Sequence, residues 1–273
     1  MKLSFATLGC PGWTLDQIAR NAAPLGFDGV ELRGIAGEHV GPDETPAARA
    51  AIKQMFSKAG IEIACIMGYS KFTWDDPAKR ASDIEVAVKY IALARDLGCP
   101  VLRLFGGQVG EAGRDEGIRR VVDGLKKLAP HAEKAGVTLA LETHDDWCVG
   151  ANLRAVLNGV KSNALGVCWD MCNSYFVEPL EKTFDAIGDA VVHVHFKDAG
   201  RDAAGKIASK LPGTGEVDMR KALNFLRMGC YQGYLSFEWE KKWEPALEEP
   251  EVAFPHYYKF TTALMREVGA LRG

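Results

Sequence analysis

TLALETHDDW, residues 138–147, opens as a short apolar run and closes on Glu142, His144, Asp145 and Asp146. A run this short just after Gly136 reads as a strand, and its near-continuous apolar character fits burial on both faces of a parallel sheet. The same pattern recurs in LSFATL (3–8), FDGVEL (27–32), IEIACI (61–66), PVLRLF (100–105), LGVCWD (165–170), AVVHVH (190–195) and YLSFEW (234–239), which makes eight strands. Between them lie segments of helical periodicity, such as TLDQIARNAAPLG, DIEVAVKYIALARDLG, GIRRVVDGLKKLAPHAEKAG and MRKALNFLRMG, each ending on the glycine expected at a helix C-terminus. Eight strand-helix units in 273 residues match an α/β fold of the single (β/α)8 TIM-barrel type, one domain over 1–273. A doubly wound open sheet fits less well, because no GxGxxG follows the first strand. Residues 199–215 read as a loop. The loop 68–76 is a candidate lid, and the segment 240–258, rich in proline and aromatics, is a candidate cover for the mouth or a subunit contact.

Composition narrows the function classes. The chain is 47% hydrophobic and 25% charged, with 33 Lys+Arg against 36 Asp+Glu, a formal net charge of −3. Neither nucleic acid nor an anionic membrane is suggested as a partner, and no apolar run approaches a membrane span. The start, MKLSFATLGCPGW, lacks the rest of a signal peptide, so a cytoplasmic location is expected. The seven cysteines contain no CxxC pair and sit mostly in apolar runs, which reads as buried free thiols.

In a barrel of this kind the chemistry sits at the C-terminal ends of the strands. The second strand ends in Glu31 and Arg33, the fourth carries Arg103, and the fifth ends in Glu142 with His144 beyond. The sixth ends in Asp170 with Asn173 beyond, the seventh in His193 and His195 with Lys197 following, and the eighth in Glu238 and Glu240. Each of these alone reads as a solvated strand end, a turn residue or a packed core histidine. On four successive strands, however, Glu142, Asp170, His195 and Glu238 line one arc of the mouth. Three carboxylates gathered there would raise one another's pKa, and a divalent cation removes that cost. Three oxygen donors and one imidazole suit Mn²⁺, Mg²⁺ or Co²⁺, with Zn²⁺ also compatible; Mn²⁺ is the expected ion.

GFDGVEL (26–32), LALETH (139–144), CWDMCN (168–173), HVHFKD (193–198) followed by Arg201 and LPGTGEVD (211–218), and GYLSFEWEKKW (233–243) resemble the sugar isomerase/epimerase superfamily with the xylose isomerase-like barrel. The resemblance covers nearly the whole chain. It implies the same four metal ligands, assigns Glu142 and Glu238 as the acid/base pair of a ketose epimerase, and makes Arg201 a substrate contact. Asn173 stands where many members have histidine, and Glu240 and Lys241 stand where the epimerases have proline and aromatics. His144, Asn173, Lys197, Glu31 and Arg103 complete the expected substrate contacts. The apurinic-site endonuclease branch does not fit, because ACIMGYS (64–70), RLFGGQ (103–108) and AGRDAAGKIASK (199–210) lack the histidines of a trinuclear zinc cluster.

Two carboxylates flanking one cation suit proton removal next to a carbonyl, through an enediolate. Return of the proton on the opposite face gives an epimerase, return to the adjacent carbon an isomerase, and loss of a β-hydroxyl an inosose-type dehydratase. A non-catalytic sugar-binding barrel is the remaining alternative. A net charge of about −1 around the cation disfavours phosphate at the metal, so an unphosphorylated sugar or cyclitol is the expected substrate. A phosphate farther out would meet Arg201, Lys197 or Lys210. Trp13, Trp74, Trp147 and Trp169 are candidate walls for sugar C–H faces. A homo-oligomer, dimer or tetramer, is left open.

Overall fold

The computed structural model describes residues 1–35 and 37–270. In chain order the strands are β1 (Lys2–Ala6), β2 (Gly29–Arg33), β3 (Glu62–Met67), β4 (Val101–Leu104), β5 (Thr138–Glu142), β6 (Leu165–Asp170), β7 (Val191–His195), β8 (Asp198–Arg201), β9 (Ile207–Lys210) and β10 (Tyr234–Phe237). All but β8 and β9 form a closed parallel barrel in the order β1-β10-β7-β6-β5-β4-β3-β2. The surrounding helices are α1 (Leu15–Ala22), α2 (Pro46–Lys58), α3 (Pro77–Leu97), α4 (Arg114–Ala135), α5 (Gly150–Val160), α6 (Met171–Tyr175), α7 (Leu180–Ile187), α8 (Met219–Met228) and α9 (Pro250–Glu267). No described helix is long and apolar enough to cross a membrane.

Local chemistry sets the helix ends. The Thr14 hydroxyl and the Gln17 side chain close a capping box at the start of α1, and Asp76 and Asp218 cap α3 and α8. Gly98 (φ +75°) and Gly136 (φ +67°) end α3 and α4 in the left-handed conformation, as expected. The end of α8 differs: Gly229 keeps φ −75°, and Cys230 takes the positive φ of +56° instead.

Strand alternation divides the side chains into two sets. The outward set, such as Leu139, Leu141, Trp169 and Phe237, is buried against the helices. The inward set is smaller or charged. Ala140 and Glu142 on β5 share a face, as do Cys168 and Asp170 on β6, and His193 and His195 on β7. Cys65, Val101, Ala140 and Cys168 form a separate small cluster under the mouth. Six cysteines are buried, Cys230 is exposed, and all are free thiols.

Two expectations change. Residues 199–215 are not simply a loop, because β8 and β9 pair antiparallel, with Asp198 opposite Lys210 and Arg201 opposite Ile207. The Asp198 carboxylate anchors this hairpin by accepting from the N–H groups of Gly213, Gly215 and Val217. The candidate lid 68–76 is tied down. Phe72 is buried against Gly124 of α4, where a Cβ would lie 2.5 Å from its ring, and Asp83 accepts from Lys71 N and Trp74 Nε1. In the 240–258 segment, Phe254 of α9 packs on Phe5 and Trp13, so this part belongs to the barrel's outer core.

Candidate metal centre at the barrel mouth

His195 organises the site. Its ring is fully buried, and its Nδ1 lies 3.3 Å from Glu142 Oε1, 3.2 Å from Glu238 Oε2 and 3.6 Å from Asp170 Oδ2. One ligand atom from each of these four residues lies within 4.8 Å of the others. The donor set also passes a test of its own chemistry. His195 Nδ1 is buried without a hydrogen-bond partner among the described residues, and Glu142 Oε2 and Asp170 Oδ2 are held there by ion-pair contacts with Arg103 and Lys197 rather than by hydrogen bonds; a cation would gather the imidazole nitrogen and these crowded carboxylates together. These residues therefore fit a divalent ion.

The supports are as specific as the ligands. Thr143, one residue past β5, donates to the Asp170 carbonyl and accepts from the Asp170 N–H, which locks the ends of β5 and β6 together. Asp170 Oδ1 accepts from Asn173 N as the cap of α6, leaving Oδ2 for the centre. Below the ligands, Glu31 accepts from His193 and His195 Nε2, each at 3.1 Å, and from Ser236 Oγ at 2.7 Å. Nε2 of His195 donates to Glu31 and its Nδ1 faces the carboxylates; burial lowers the imidazole's pKa, but the surrounding carboxylates outweigh this and raise it, so without a cation Nδ1 carries a proton that metal binding would displace.

Several expected substrate contacts occupy other places. Glu31 is fully buried with both oxygens engaged, so it orients histidines rather than reaching a substrate. Asn173 donates its side-chain amide to the Thr143 carbonyl. Arg201 lies exposed on the hairpin, its guanidinium 5.5 Å from the Phe176 ring centroid and donating to the Gly205 carbonyl. His144 stands beside the mouth, paired with Asp145 at 3.1 Å and edge-on to Phe105. Trp147 and Trp169 are core residues and Trp74 is exposed, leaving Trp13 as the tryptophan of the expected four that lines a cavity on this face.

Arg103 and Lys197 lie inside the charge cluster. Arg103 Nε is 3.1 Å from Glu142 Oε2, and its guanidinium lies over the Phe105 and Tyr69 rings. Lys197 Nζ reaches Asp170 Oδ2 at 3.0 Å, Glu238 Oε2 at 2.6 Å and Glu240 Oε1 at 2.8 Å. Burial pushes the Glu238 carboxyl up, but His195 and Lys197 beside it outweigh that and hold it well below the usual carboxylate range. The two cations also offset the negative charge expected from three acids and one divalent ion. Sequence reading placed Glu240 at the end of the eighth strand without a role and overlooked Thr143, Ser236 and Tyr69. Strand parity was the available signal for Ser236, which shares a face with Glu238.

Glu31 carries a testable pH consequence in the metal-free protein. Burial raises its carboxyl, but His195 and His193 outweigh this and hold it well below its unfolded value of about 4.3. A carboxyl depressed on folding contributes stability that is present above the unfolded value and lost as pH falls toward the folded one. Glu31→Gln should therefore give a shallower loss of stability between about pH 5 and 3, read by urea unfolding at each pH. An acid limb as steep as in the parent protein would count against this reading of Glu31.

Comparison with known proteins agrees with this architecture. The chain is 26% identical over 253 residues to a fructoselysine 3-epimerase of Shigella flexneri, covering 87% of this chain and 90% of the relative. It is 29% identical over 277 residues to an L-ribulose-5-phosphate 3-epimerase of Salmonella paratyphi A, covering 92% and 89%. Among solved structures, an L-ribulose 3-epimerase superposes with a TM-score of 0.82 over 98% of this chain and 95% of that one, at 20% identity. The model of the xylose isomerase-like TIM barrel matches residues 19–255, and the chain belongs to that family.

Proposed function

We propose that the protein is a metal-dependent sugar epimerase that inverts a carbon next to the carbonyl of a ketose. The observation that carries this reading is the placement of Glu142 and Glu238. They extend from β5 and β10, three strands apart in the ring, and both approach His195 Nδ1, at 3.3 and 3.2 Å. A substrate carbon between them would present one face to each carboxylate. A divalent cation held by Glu142, Asp170, His195 and Glu238, with Mn²⁺ the ion expected for this donor set, would supply Lewis acidity to the carbonyl and its neighbouring hydroxyl.

The chain's own groups account for the rest. Glu238, held as a carboxylate at neutral pH, removes the proton on its face. Glu142 enters the step as the carboxylic acid and gives its proton to the opposite face, ending as a carboxylate while Glu238 ends protonated, and its contact with Arg103 fixes its orientation. Lys197 steadies Glu238 and Asp170 while the charge redistributes. The 3-epimerase names of the two curated relatives support carbon 3 as the reacting centre.

Incubation of metal-loaded protein in D₂O with ketopentoses, ketohexoses, their phosphates and inososes, followed by NMR, tests the proposal. Deuterium at the carbon next to the carbonyl, with the epimer as product, is the expected outcome. Loss of a β-hydroxyl would make it a dehydratase, and bound metal without exchange on any compound would favour a binding protein.

A further inference from the structure

Outside the metal centre, one cavity on the active face combines unsatisfied buried polar atoms with net positive charge. It has a volume of about 580 Å³ and is lined by Trp13, Arg33, Glu38, His39 and Lys242, among others. Arg33 ends β2 and is 1% exposed, and its Nη1 has no hydrogen-bond partner among the described residues. Its Nε is paired with Glu38, which also takes Lys242 Nζ at 2.9 Å. Two cations facing one carboxylate leave about one positive charge, and Asp16 at the rim is already paired with Arg20. His39 is 7% exposed and its Nε2 lies 3.1 Å from the Trp13 carbonyl. A carbonyl only accepts, so Nε2 carries the proton and the unpartnered Nδ1 is a free acceptor.

The cavity's position relates it to the chemistry. Glu31, beneath His195, and Arg33 lie two residues apart on β2 and face the same way, so Arg33 stands about 6.6 Å farther toward solvent. Because Glu31 lies below the ligands, the step along the barrel from them to Arg33 is shorter than this offset and within the length of a five-carbon chain with bonds of about 1.5 Å. Tyr69 stands near both regions: its ring centroid is 5.1 Å from the Arg103 guanidinium, it packs on the cluster containing Leu8, whose carbonyl accepts from the Lys242 N–H, and its buried hydroxyl has no partner among the described residues.

We propose that this cavity is the subsite for the far end of the substrate and that it selects a ketose with a terminal anionic group, phosphate or carboxylate. Arg33 Nη1 and Lys242 take the anion, His39 Nδ1 accepts from a hydroxyl near it, and Trp13 covers the carbon chain. The inference rests on the epimerase reading for its reacting end. It also replaces Arg201, exposed on the hairpin, as the anion contact.

The test compares kcat/KM for matched pairs on metal-loaded protein: D-ribulose 5-phosphate against D-ribulose, and D-fructuronate against D-fructose. A preference of about 100-fold or more for one anionic member is expected, and whichever pair shows it distinguishes phosphate from carboxylate. Arg33→Gln should reduce that preference by about 30-fold and Lys242→Gln by about 10-fold, with Arg201→Gln leaving the ratio unchanged. No preference in the parent protein, or equal losses on both members of a pair in Arg33→Gln and Lys242→Gln, overturns the proposal. Lys242→Gln covers the case in which Arg33→Gln fails to fold. If no ketose turns over, the epimerase reading fails, and inorganic sulfate titrated calorimetrically into the same proteins decides the subsite by itself. Saturable binding weakened about 10-fold by Lys242→Gln upholds it, and absent or unaltered binding overturns it.

Discussion

Replacing His195 or Asp170 by alanine is expected to abolish tight divalent metal binding. His195 contributes the site's sole nitrogen donor, and its Nδ1 has no other role, because Nε2 already donates to Glu31. Asp170 contributes Oδ2, with Oδ1 committed to the N–H of Asn173. Removing a group that only orients a ligand costs about 10–100-fold in metal affinity, so loss of a ligand should exceed about 100-fold. Lys197 strengthens the effect: in either variant its ammonium remains 2.6 Å from Glu238 and competes with the cation. Calorimetric titration with Mn²⁺ and metal analysis after dialysis measure this. Unchanged stoichiometry and affinity in both variants would remove the metal centre from the account.

Glu238→Gln should leave substrate affinity nearly intact while lowering kcat by about 10²–10⁴-fold, the range for loss of a positioned acid or base. The amide keeps an oxygen that can still face the cation but can no longer accept a proton. The two-carboxylate scheme also makes an asymmetric forecast. In D₂O the variant should stop exchanging the proton of the epimer that presents its C–H to Glu238, and Glu142 should still exchange that of the other. A Glu142→Gln protein should show the reverse. Near-normal turnover in Glu238→Gln, or loss of exchange from both epimers together in each variant, would rule out a proton acceptor on each face. The split between kcat and KM separates this role from simple loss of binding.

The barrel was legible because its signal is repetitive and local. Apolar runs such as LALE and LGVCWD are buried on both faces whatever the neighbouring strand, and the glycines after α3 and α4 end those helices by their own conformational freedom. The four candidate ligands were legible for a related reason: a parallel barrel aligns its strand ends, so the last polar residue of β5, β6 and β7 and the residue after β10 meet without any special loop.

What the sequence determined by itself, then, was the fold and the list of polar groups at the mouth. Tertiary structure alone decided what each group does, because pairing across a closed ring joins residues far apart in the chain. Glu31 reads as a strand-end acid, but it lies below His195 and His193 with Ser236 on its other side, which makes it an orienting group. Lys197 is two residues from His195, yet its place is set by Glu238 and Glu240, more than forty positions away. Arg201 was placed on a hairpin because residues 198–210 pair antiparallel, and strand polarity there is too mixed to announce pairing. Arg33 and His39 gained meaning only when Trp13 and Lys242, from opposite ends of the chain, closed a cavity around them. Periodicity records burial, which is local; partner choice depends on closure of the ring, which no short window of sequence contains.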